Sequence, residues 1–202
     1  MSATAAPVAS NRADFRTVTV GGAKVGVATA VAVVAFLAAS RLVPIATGLR
    51  GGVTALIVLA AGLAVAFLPA QWTAARSTEG IAGAAALGLV GTVVFSAIDI
   101  VLLRPFKAYP WTWDAIGGGS TWWYLPIWWM LGTFLAWMGG IVTAASGEAT
   151  LARRALPAVA GTIIVAAIGR LAGVPVHFSV ITGAAFTLVL AALALVALAR
   201  KG

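Results

Sequence analysis

Cysteine is absent from this chain, and histidine occurs once, as His177. Without thiols there are no disulfides, no thiolate nucleophile, no haem attachment and no cysteine-ligated cluster. A single imidazole excludes multi-histidine metal centres and paired haem ligands. Charge is scarce as well. Only 9 % of the residues are Asp, Glu, Lys or Arg, against about 25 % in a soluble domain. A chain this poor in charge has no surface for water, so lipid must be the solvent for most of it. Catalytic signatures are missing too: there is no Gly-x-Ser-x-Gly, no His-Glu-x-x-His and no paired intramembrane carboxylates. Gly117-Gly118-Gly119 has neither the lysine nor the strand-to-helix setting of a phosphate loop. The sequence therefore predicts no catalytic residues and no metal site, and the protein is not expected to be an enzyme.

Apolar residues make up 62 % of the 202-residue chain, and its mean hydropathy is +1.06. They fall into six runs, at about 25–43, 53–72, 81–103, 122–144, 156–172 and 176–199. A spanning helix needs about 20 apolar residues. The second and fifth runs are short, which leaves five spans as the alternative to six. The expected fold is an all-α integral membrane bundle of about six helices, forming a single domain over 24–202. Residues 1–23 read as a polar tail, disordered or partner-bound. Ala38-Ala39-Ser40 after the first run offers a signal-peptide reading, but a retained transmembrane helix is preferred. Pro105 follows the third run, and Pro157 reads as a first-turn proline of the fifth helix. Ser146 and Thr150 are plausible caps for that helix, in what otherwise reads as a solvated loop with Glu148, Arg153 and Arg154.

The net charge is +8, but the basic residues are singles and pairs at the ends of apolar runs. That pattern orients a membrane protein and does not resemble the basic face that binds nucleic acid. With six spans, Arg12, Arg16, Lys24, Arg76, Arg153, Arg154, Arg200 and Lys201 share one side. Arg41, Arg50, Arg104, Lys107 and Arg170 share the other. The richer side is expected to be cytoplasmic. This gives both termini inside a cytoplasmic (prokaryotic-type inner) membrane, with the connection 104–121 outside. Small residues recur at helical spacing, as Gly22/Gly26, Ala84/Gly88 and Gly169/Gly173, and predict close helix packing.

Seven of the eight tryptophans lie between Trp111 and Trp137: Trp111, Trp113, Trp122, Trp123, Trp128, Trp129 and Trp137. Three readings apply. An interfacial aromatic belt accounts well for Trp122, Trp123 and Trp137. A docking surface for another membrane subunit uses the energetic weight of aromatic rings. A flat apolar slot would take a quinone, a carotenoid or a lipid tail, and no other cofactor is predicted.

Asp99 is the most informative polar position, because a carboxylate near hydrocarbon must be paired or protonated. Arg104 lies five residues on. Arg170 and His177 flank a tight turn on the same side of the six-span arrangement, so Asp99, Arg104, Arg170 and His177 are expected as a polar cluster. The leading functional expectation is a non-catalytic subunit of a larger membrane complex, with lipids and other membrane subunits as partners. A small-solute or proton-linked transporter or channel is the alternative. A quinone-, carotenoid- or lipid-binding membrane protein ranks third.

Overall fold

The computed structural model describes residues 13–44, 48–103, 105, 124–147 and 149–200. Arg104, Trp111, Trp113, Trp122, Trp123 and Glu148 lie outside the described residues. The helices are α1 Phe15–Leu42, α2 Leu49–Trp72, α3 Thr78–Ile98, α4 Tyr124–Ala145, α5 Leu151–Leu171 and α6 Phe178–Ala199. α3 continues into a π-helical turn, Asp99–Leu103. All six are long and apolar enough to cross a membrane, and no strand occurs among the described residues. The six apolar helices mark the chain as a multi-pass membrane protein.

The helix ends depart from the apolar runs where polar residues join the first or last turn. α1 starts at Phe15, well inside the stretch expected to be a tail. Asp14 caps it, its side chain accepting from the Thr17 N–H at 2.9 Å. Hydrogen bonding from Thr17 also holds the exposed Asp14 carboxyl below its ordinary value. The cap thus stays ionised through the usual carboxylate range and is lost only as pH falls through that lowered value. Lys24 Nζ stands 5.9 Å from the centroid of the Trp72 ring at the end of α2. This cation–π pair fits the headgroup level. From Val25 to Leu42 the helix then rises about 27 Å, close to the ~30 Å of hydrocarbon in a bilayer.

α5 starts at Leu151, capped by Thr150, whose side chain accepts from the Arg153 N–H at 3.4 Å. Pro157 therefore lies inside the helix, beyond its first turn. Its missing N–H leaves the Arg153 carbonyl without an i+4 donor. Gly173 is not a packing residue as its spacing to Gly169 suggested. It closes α5 at φ +72°, with its N–H on Arg170 O and the Val174 N–H on Gly169 O, both at 3.2 Å. That is a Schellman ending, which favours glycine.

Packing follows the small residues. α4 is the most enclosed helix, and α1 and α5 are the least enclosed. α3 packs on α1, α4 and α2, whereas α5 packs on α6 and only slightly on α2. Gly22 and Gly26 of α1 meet Val90, Gly91 and Val94 of α3. On the other side of α3, a methyl group on Gly88 would lie 2.5 Å from Ala136 Cβ and 2.7 Å from the Gly132 carbonyl oxygen. Gly139 of α4 lies directly against the Ala66 backbone of α2. The largest apolar cluster joins α2, α4 and α6 through Phe67, Leu135, Met138, Phe186 and Leu190.

An even number of spans puts both ends of the chain on one side, and the chain has no native cysteine to confuse the test. Cysteines placed singly at Ala13 and Arg200 are expected to react alike with a membrane-impermeant thiol reagent. Labelling of one in sealed cells and the other only after permeabilisation would contradict six spans.

Candidate functional site

α3 carries a buried polar stripe. Thr92, Ser96 and Asp99 are spaced four and three residues apart, so they share one face of the helix. All three are buried. Thr92 Oγ1 donates to the carbonyls of Leu89 at 2.9 Å and Gly88 at 3.3 Å. Ser96 Oγ donates to the Thr92 carbonyl at 2.7 Å and accepts from Trp129 Nε1 at 3.3 Å. Binding these hydroxyls to their own helix satisfies them in hydrocarbon. The bare backbone of Gly132 in α4 makes room for Thr92, since a side chain there would collide with Thr92 Cγ2.

Asp99 ends the stripe. It is 4 % exposed and opens the π-helical turn, its N–H directed at the carbonyls of Phe95 and Ser96. Single π turns are concentrated at functional sites, because the wider turn re-aims side chains and loosens the backbone ladder. Here Pro105 follows closely. It has no N–H with which to continue the ladder.

The expected polar cluster does not form around this carboxylate. Arg170 and His177 are exposed and belong to α5 and the start of α6. Those two helices pack on each other, away from α3. His177 occupies the N-cap position of α6 but makes no side-chain capping bond. Asp99 thus sits on the α3–α4 side of the bundle, and the Arg170–His177 pair on another. Arg104 lies outside the described residues.

The tryptophans divide in the same way. Trp128 meets Phe95 of α3 edge to face, with centroids 5.8 Å apart and planes at 73°. Trp129 turns its N–H to Ser96. Both rings are half-buried and serve the α3–α4 seam. Trp137 is 48 % exposed, although its neighbours Leu135, Ala136 and Met138 are buried. Ile127 and Met130 are exposed too. At 3.6 residues per turn, Ile127, Met130, Phe134 and Trp137 fall within an arc of about 80°. Ile127, Met130 and Trp137 form an apolar stripe along the outer face of α4, and the partly buried Phe134 between them also packs against the core.

Comparison with family models, with curated proteins and with solved structures finds no match to this chain. Among the described residues no group of three or more His, Cys, Asp or Glu side chains is placed to hold a metal ion.

Sequence reasoning singled out Asp99 but missed Ser96 and Thr92. Hydroxyls in apolar helices are common, and only the α4 contact distinguishes these two. It also read Arg154 as part of an ordinary solvated loop. The structure places Arg154 and Arg76, the latter from the α2–α3 turn, in the lining of one cavity. No spacing along the chain could reveal that shared lining, because the two residues come from separate connections.

Proposed function

We propose that this protein is a non-catalytic integral subunit of a larger membrane complex, docking through the outer stripe of α4. The exposure of Trp137 carries the reading. Its Cα stands about 20 Å along α4 from Tyr124 and about 12 Å from Ala145. That is deeper than the headgroup level at which a belt tryptophan sits. A half-exposed indole at that depth offers a neighbouring protein a large rigid contact. Trp, Phe and Met are the residue types enriched in the cores of protein interfaces. The partner of this stripe is another membrane polypeptide, and lipid fills the remaining outer faces.

The membrane is a cytoplasmic one in this proposal, with both termini on the cytoplasmic side. The six-span count and the eight-to-five distribution of the thirteen basic residues support that orientation. Purification of the tagged chain from its native membrane in mild detergent, followed by mass spectrometry, is expected to recover a stoichiometric second membrane polypeptide. A monodisperse homo-oligomer with no such partner would refute the proposal.

A second reading, proton- or small-solute-linked transport, draws on the burial of Asp99 in the π turn. In that reading Asp99→Asn abolishes uptake into liposomes while the folded protein persists. Wild-type uptake by Asp99→Asn, or no uptake by either form, would remove it.

A further inference from the structure

At the end of the bundle where α1 begins and α6 finishes, the α2–α3 turn and the α4–α5 connection border a half-open cavity of about 470 Å³. Its walls carry the polar side chains of Gln71, Arg76, Thr143, Thr150 and Arg154. We propose that this cavity binds a phosphate group, either in the headgroup of an anionic phospholipid or as free phosphate.

Thr143 is the decisive residue. Buried threonines elsewhere in the bundle satisfy their hydroxyls on their own helix: Thr54 on the Arg50 carbonyl, Thr162 on Ala158, Thr182 on Phe178. Thr143 is 2 % exposed, and its Oγ1 has no hydrogen-bond partner. A buried hydroxyl left unsatisfied in a well-packed helix is costly unless something enters to use it. Thr143 is one of the residues that line the cavity.

Arg154 is the second element. One guanidinium nitrogen, Nη2, donates to the Gly147 carbonyl at 2.7 Å, which fixes the side chain in place. Its buried Nε is without a partner. A guanidinium held in place on one side, with its Nε still unpaired, has a donor left for the forked geometry of phosphate oxygens. Arg76, from the α2–α3 turn, adds a second positive charge to the lining. Ala149, Thr150 and Leu151 place the N-terminal end of the 21-residue α5 at the same cavity, where its helix dipole favours an anion.

The α2–α3 turn is stiff. Ala74 is held at φ +48°, a conformation costly for a residue with a Cβ. Thr73 Oγ1 bridges the carbonyls of Pro69 and Gly80, at 2.9 Å each. The cavity lies beside the ends of α2 and α4, at the depth of lipid headgroups in a six-span arrangement.

The test uses the full chain in detergent, with phosphatidylglycerol, phosphatidylcholine or inorganic phosphate as probes. Binding is read by native mass spectrometry and by the rise in melting temperature. Phosphatidylglycerol or inorganic phosphate is expected to bind and raise the melting temperature, and phosphatidylcholine to do so far less. Arg154→Gln is expected to weaken this about tenfold, the effect of one lost charge-assisted hydrogen bond. Thr143→Val, which removes a hydroxyl with no bond inside the protein, is expected to weaken binding several-fold. Its melting temperature without probe should match or exceed that of the wild type, so this variant carries the test even if Arg154→Gln fails to fold. Arg153→Gln removes an equal charge from a neighbour that does not line the cavity, and should bind as the wild type does. A response to inorganic phosphate identifies a soluble phosphate as a ligand. A response confined to phosphatidylglycerol identifies the lipid. The proposal is overturned if no probe binds preferentially, if Arg153→Gln and Arg154→Gln lose binding equally, or if Thr143→Val binds as tightly as the wild type.

Discussion

Gly139→Ala is expected to lower the stability of the bundle by about 1–3 kcal/mol, the range for forcing atoms into a packed core. A Cβ at that position has no room, because it would meet the backbone carbonyl of Ala66. A backbone atom cannot swing aside as a flexible side chain can. α2 and α4 would have to separate, and the apolar cluster formed by Phe67, Leu135 and Phe186 joins those same helices. Gly139→Leu should prevent the bundle from forming. Gly52→Ala gives the opposite sign. No atom lies within 4 Å of a Cβ built at Gly52, and alanine is the better helix former by about 1 kcal/mol. Melting curves in detergent, read by fluorescence-detected size exclusion, should show Gly52→Ala at or above the wild type and Gly139→Ala well below it. Equal melting temperatures for both variants would show that α2 and α4 are not in close contact at Gly139.

The second large effect concerns assembly. Trp137→Ala should release the protein from its partner while leaving its own fold intact. Truncating an interface hot spot costs about 2 kcal/mol or more, which is about 25-fold or more in affinity. Trp128→Ala and Trp129→Ala should act differently. Those rings are turned onto Phe95 and Ser96 of α3, so their loss should lower the melting temperature of the isolated subunit. An exchange of these outcomes, with Trp137→Ala unfolding the chain and Trp128→Ala releasing the partner, would place the docking face elsewhere.

The six spans were legible because lipid imposes a simple requirement. Each crossing needs a long apolar run, and the six runs correspond to six helices. The ends were less legible, since helices continue past the apolar stretch into charged first turns. Arg16 and Lys24 hid the first ten residues of α1, and Arg153 and Arg154 hid the start of α5. Capping chemistry marks those ends more reliably than hydropathy. Thr150 carried that signal, and Asp14 carried one that apolar counting passed over. Glycine spacing was informative at Gly22/Gly26 and Ala84/Gly88, where the helices meet. It misled at Gly173, where the backbone needs positive φ.

The candidate sites were legible in part, for a geometric reason. A chain sequence shows which residues share one helix face but not which face meets which neighbour. Asp99 stood out by its charge alone. Its separation from Arg170 and His177 follows from α3 and α5 lying on different sides of the bundle, which no local pattern encodes. Two adjacent tryptophans on a helix point about 100° apart, yet both Trp128 and Trp129 reach α3, because α3 crowds that end of α4. The ring left outside was the more distant Trp137.

The most direct test of the docking account is photo-crosslinking at that position. A photoreactive phenylalanine analogue replacing Trp137, activated in native membranes, should join the chain to one distinct membrane polypeptide. The same analogue at Ile163, on the exposed face of α5, should not capture that polypeptide. Crosslinks from position 137 to lipid alone, or to the same mixture of proteins captured from position 163, would contradict the account.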